Sequence, residues 1–143
     1  MKATTIRFKK GQLNPKLAKY LEDDEITVMM TSREEVEAAG LTSIIAFADR
    51  TNKAIIFIEE DCEALSPQSI ECILAHEYGH IRYAYASEMA ADQFAIRLVG
   101  YAAYQLAEAE TRVVILRLRQ ARGTTASNNN PQYAHRARWA GGA

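Results

Sequence analysis

Only two cysteines, Cys62 and Cys72, occur in the 143 residues. That is too few to staple a loop-rich fold, and they read as reduced thiols of a cytoplasmic protein. Long apolar runs are also missing. The two longest, near residues 44–48 and 54–58, fall far short of the ~20 residues needed to span a bilayer, so no membrane partner is expected. The N-terminal MKATTIRFKKGQ is basic but has no apolar core of the kind a secretory signal carries. Neither sign of charge prevails: 17 Lys+Arg face 18 Asp+Glu for a net charge of -1, so no global field selects nucleic acid. Glycine (7) and proline (3) are scarce, which makes each of them a marker of where an element starts or stops.

What is present suffices for one core. Apolar residues make up 48% of the chain, and the length fits a single domain over residues 1–143. Asn14-Pro15 supplies a cap and a proline at the first helical position, opening a helix to about Leu21. Ser32 with Glu35 forms a capping box, and Gly40 ends that short helix. Ser66-Pro67 repeats the cap-plus-proline signal. Strand candidates are 25–30 (EITVMM), 43–49 and 54–60, the last two flanking the polar turn 50–53 as an antiparallel hairpin. From Glu88 to about Gly123 the spacing is helical, with a break expected at Gly100. Residues 124–143 read as a polar loop and basic tail. Strands precede helices, so the expected class is α+β. A small antiparallel or mixed sheet packs on the helix opened by Ser66-Pro67, and a helical C-terminal part follows. From Thr111 onward there are six arginines and no acid, a run that reads as a solvated helix face and tail.

That first long helix carries His76-Glu77-Tyr78-Gly79-His80. Histidines four apart on a helix lie about 40° apart around the axis and ~6 Å apart along it, so both imidazoles reach one ion. Glu77, one residue on, points elsewhere and is placed to act as a general base on water whose pKa a Zn²⁺ ion lowers toward ~7. The pattern arises by chance in a chain of this length with a frequency on the order of a few per thousand. A hydrolytic zinc needs a third protein ligand, for which Glu88 is the best candidate. Asp92, four residues further on, is placed to hold the second nitrogen of a ligand histidine.

The spacing sets a condition. On one straight helix, Glu88 would lie ~18 Å from His76 along the axis and about 120° around it. The chain must therefore reverse within 81–87 (IRYAYAS), with Ser87 capping a new helix. Without the reversal, His135, Asp92 or another acid is left to supply the third ligand.

HEYGH followed by SEMAADQFAI resembles the HExxH…ExxAD pattern of gluzincin-type zinc metallopeptidases, M48-like peptidases and the small minigluzincins in particular. The resemblance spans roughly residues 43–136. It implies a zinc site of His76, His80 and Glu88, with Glu77 as general base, Ala91 as the small residue and Asp92 behind a histidine. It also implies that the strand before the active helix is a sheet edge, with Ala54, Ile55, Ile56 and Phe57 binding substrate backbone by strand addition. Three departures stand out. Asn130 precedes Pro131 and Arg136 where the family carries histidine, the segment between the two half-motifs is short, and membrane helices are lacking.

The bottom-up reading gives Cys72 to the core, although it lies one turn before His76. Tyr78, Tyr83, Tyr85, Tyr133 and Arg136 are lesser candidates to orient a substrate, and His135 reads as a surface residue. Residues 113–118 are helix core or an association face, and self-association through that helix or an edge strand is open. The leading expectation is hydrolysis of peptide or protein substrates, in an active or a latent form with a terminal segment in the cleft. The alternatives are a regulatory peptidase with one cognate protein, and a non-catalytic interaction module that is zinc-pinned or metal-free.

Overall fold

Capping chemistry starts the helices where the sequence indicates. In the computed structural model, which describes residues 1–84 and 87–122, Asn14 accepts from the backbone N–H groups of Lys16 and Leu17 and opens α1 (Pro15–Asp23). Ser32 accepts from Glu35 N and opens α2 (Arg33–Ala38). The Glu35 carboxylate accepts from Lys2 N at 3.0 Å, so it ties down the N-terminal strand β1 (Thr4–Thr5). Ser66 accepts from Ser69 N and opens α4 (Pro67–Arg82). After the reversal, Ser87 accepts from Ala90 N and opens α5 (Glu88–Val99). Gly100, at φ 95° and ψ 158°, is the expected break, since such a backbone suits glycine alone. It separates α5 from α6 (Tyr101–Arg122).

The class is α+β, as expected. β2 (Thr27–Thr31), β3 (Ala46–Asp49) and β4 (Ala54–Ile58) join β1 in a four-stranded mixed sheet of order β1-β2-β4-β3. β3 and β4 form the expected antiparallel hairpin, with Phe47 opposite Ile56. β2 and β4 run parallel, with Met29 opposite Ile56. The strands are shorter than the sequence suggests. β3 begins only at Ala46 because Ile45 holds a positive φ of 69°, a strained conformation for a β-branched residue. Its N–H donates to the buried Asp61 carboxylate at 2.9 Å and its carbonyl accepts from Ile58 at 2.8 Å. β4 stops at Ile58 because Glu59 and Glu60 start a short helix, α3 (Glu59–Cys62). That helix turns Asp61 inward to pair with Arg33.

One expectation is overturned. β4, with Ala54, Ile55, Ile56 and Phe57, is not an edge: it lies between β2 and β3 and is hydrogen-bonded to both. Its five residues are all buried, and an apolar strand of this kind is covered by neighbours on both sides. The free edge on that side of the sheet is β3.

α4 is the centre of the molecule. Cys72, Ile73, Leu74, Ala75 and Tyr78 are fully buried in one cluster with Leu17, Val28, Ile55, Phe57, Ala107 and Ile115. Each large side chain there contributes about 1.5–3 kcal/mol by leaving water. The start of α4 is fixed from α6, where Glu110 accepts from Ser66 N at 2.8 Å and from the Ser69 hydroxyl at 2.5 Å. Burial pushes the Glu110 carboxyl up, but these hydrogen bonds outweigh it and hold the group below its ordinary value. Of residues 113–118, Val114 and Ile115 belong to the core, whereas Val113 and Leu116 are exposed. No helix among the described residues is long and apolar enough to cross a membrane.

Candidate metal centre

The reversal after α4 brings Glu88 back to the histidine pair. Its Oε2 lies 3.0 Å from His76 Nε2 and its Oε1 3.2 Å from His80 Nε2, and the two Nε2 atoms are 3.2 Å apart. Each Glu88 oxygen approaches one imidazole, and one ligand atom from each of the three residues lies within 4.8 Å of the others. His76, His80 and Glu88 are thus close enough to bind a metal ion.

Asp92, one turn beyond Glu88 on the same face of α5, places Oδ1 2.6 Å from His76 Nδ1. His76 is 1% exposed, so its Nδ1–H has Asp92 as acceptor and its Nε2 lone pair is directed into the cluster. Three electron-pair donors converging in this way repel one another unless a cation or a proton lies among them. The donor set is two imidazoles and one carboxylate.

Gly79 lies on the face of α4 that meets α5. A methyl group added there would meet Phe94 Cδ1 at 3.4 Å and the Ala91 Cα at 3.6 Å. These are ordinary contact distances, so the packing of α5 on α4 leaves room here for a small residue and not for a large one. Ala91, the small residue between Glu88 and Asp92, is the other half of this contact.

Glu77 is 3% exposed and lines an open cleft of about 770 Å³ together with His80 and Glu88. Phe47, Ala48, Asp49 and Arg50 of β3 and its turn line the same cleft, and Met1, Leu41 and Ile56 complete it. The register gives β3 a defined free edge. Because Ile58 N donates to Ile45 O, residues 45, 47 and 49 exchange hydrogen bonds with β4. Ala48, opposite Ile55, therefore turns its N–H and C=O outward.

Other candidates are placed elsewhere. Cys72 is core, as expected, and Cys62 is a free thiol pushed up to about 12, first by burial and then by the Asp61 charge. Tyr78 is fully buried, donates to Asp24, accepts from Arg82 at 3.1 Å and stacks on Tyr20. Tyr83 packs edge-on against Phe94. Neither lines the cleft. Tyr85, Asn130, Pro131, Tyr133, His135, Arg136 and the tail from residue 124 lie outside the described residues. The sequence reading missed Arg50, whose Nε donates to the His80 carbonyl at 2.7 Å. Its place in a polar turn gave no sign of this contact.

Comparison with protein-family models, with curated proteins and with solved structures yields no match.

Proposed function

We propose that this chain is a zinc-dependent peptidase. His76, His80 and Glu88 would hold the ion, and Asp92 would keep His76 in the tautomer that ligates. The observation that carries the reading is the convergence of these three donors within 4.8 Å of one another beside a buried glutamate in an open cleft. When bound, the ion supplies Lewis acidity that lowers the pKa of water toward ~7 and polarises a carbonyl. Glu77 receives a proton from the attacking water and returns it to the leaving amine, the two roles of a general base that becomes a general acid.

The substrate is an extended peptide segment. Strand addition requires an edge with unpaired backbone groups next to the reacting atoms. The edge that borders Glu77 and His80 is β3, with Ala48 presenting both groups, and Ile56 contributes a side chain to the cleft from the strand behind. A substrate strand there also covers an edge that otherwise invites pairing with another chain.

The test separates metal from turnover. The purified chain is expected to bind one zinc, and Glu77→Gln is expected to keep the zinc while losing hydrolysis by a factor of about 10² or more. Unchanged turnover in Glu77→Gln removes Glu77 from the mechanism. Absence of stoichiometric zinc overturns the whole reading, whereas tight zinc without turnover on protein substrates, both before and after proteolytic trimming of the chain ends, leaves a non-catalytic module.

A further inference from the structure

Arg50 is the one cationic side chain among the described residues that line the cleft with Asp49, Glu77, His80 and Glu88. It follows β3 directly, two residues beyond Ala48, in the turn that leads to β4. Its Nε donates to the carbonyl of His80 in the last turn of α4, which fixes the guanidinium beside the metal site. That bond occupies one donor of five and leaves the terminal fork without a partner among the described residues. Arg50 forms no ion pair among the described residues. The nearest acid in sequence, Asp49, is engaged by the turn instead: its oxygens accept from Asn52 N at 3.2 Å and Asn52 Nδ2 at 2.8 Å.

A planar guanidinium fork matches a carboxylate bidentately and matches a single carbonyl oxygen less well. A dication held by two neutral imidazoles and one carboxylate would keep one positive charge, which the Glu77 carboxylate offsets, so Arg50 is the side chain left to meet an anion entering the cleft. Resting on the peptidase reading above, we infer that Arg50 anchors a carboxylate of the substrate and makes the site selective for peptides acidic next to the cleaved bond. The carboxylate comes either from an aspartate or glutamate side chain or from the peptide's own C-terminus.

Binding of matched ligands to the zinc-loaded full chain tests this without turnover. Pairs of short peptide hydroxamates are titrated by calorimetry, differing only in Glu against Gln beside the hydroxamate, or in a free against an amidated C-terminus. Zinc content is measured for each protein sample. The wild type is expected to favour the carboxylate member of one pair by roughly fivefold to fiftyfold. Arg50→Gln should shrink that ratio to below about twofold, and Arg50→Lys should restore part of it. Preference in the first pair assigns side-chain recognition; preference in the second assigns the terminus. With zinc bound, no preference in the wild type, or one that Arg50→Gln leaves intact, overturns the assignment and spares the peptidase reading. A chain that binds no zinc overturns both.

Discussion

Removing the acceptor behind His76 separates a metal-site role for Asp92 from a purely structural one. His76 Nδ1 and Asp92 Oδ1 are 2.6 Å apart, and their side chains are 1% and 12% exposed. In Asp92→Ala the buried Nδ1–H loses its partner, which costs about 1–3 kcal/mol of stability in the metal-free chain. The ring also loses the group that fixes its tautomer. Loss of such a partner weakens metal binding by about 10- to 100-fold, or about 1.4–2.8 kcal/mol. Asp92→Asn keeps an oxygen acceptor and gives up the charge, so it should fall between wild type and Asp92→Ala in both respects. The two effects are read separately, by urea unfolding without metal and by competition for zinc against a chelator of known affinity. Asp92→Ala that loses metal-free stability yet binds zinc as tightly as wild type would refute the reasoning, leaving Asp92 a structural hydrogen-bond partner only.

Gly79→Ala should be tolerated, because its methyl group meets Phe94 and Ala91 at ordinary contact distances of 3.4–3.7 Å while helix propensity improves by about 1 kcal/mol. Gly79→Leu has no such space and should cost about 1–3 kcal/mol and weaken zinc binding by displacing α5; thermal melts and chelator competition that match wild type would count against the packing argument. The Tyr78 phenol is pushed up from its ordinary 10.0 to about 12, first by burial and then by its hydrogen bond to Asp24. Its stabilising contribution is therefore complete below pH 10 and drains away as pH rises toward 12, because the unfolded chain releases this proton first. Urea midpoints compared between wild type and Tyr78→Phe over that range should show the difference, and parallel slopes would refute it.

Much of the helical frame was legible because caps act locally. Asn14, Ser32, Ser66 and Ser87 each bond an N–H two or three residues ahead, a relation fixed by spacing alone. The metal trio was legible for a related reason: once helical periodicity puts His76 and His80 on one face, only a reversal lets Glu88 join them. The sheet edge was not legible. Whether β4 is flanked on both sides depends on β2 pairing parallel to it across α2 and β3, a long-range choice that no residue of AIIFI announces. The true strand ends were hidden as well, since the positive φ of Ile45 is set by Asp61, sixteen residues away. Arg50 escaped notice because its partner is a backbone carbonyl, which carries no side-chain signature.

The donors come from two helices, and this has a thermodynamic consequence for the pair. His76 and His80 belong to the most deeply buried helix, whereas Glu88 and Asp92 belong to a helix held against it through Gly79, Ala91 and Phe94. An ion bound by both acts as a clasp, and its binding free energy becomes free energy of docking α5 onto α4. Opening of α5 is then governed by free metal concentration, and exchange of its amide hydrogens slows as the ion binds while those of α4 respond least. A metal ion bound here would fasten the helix that completes its own site.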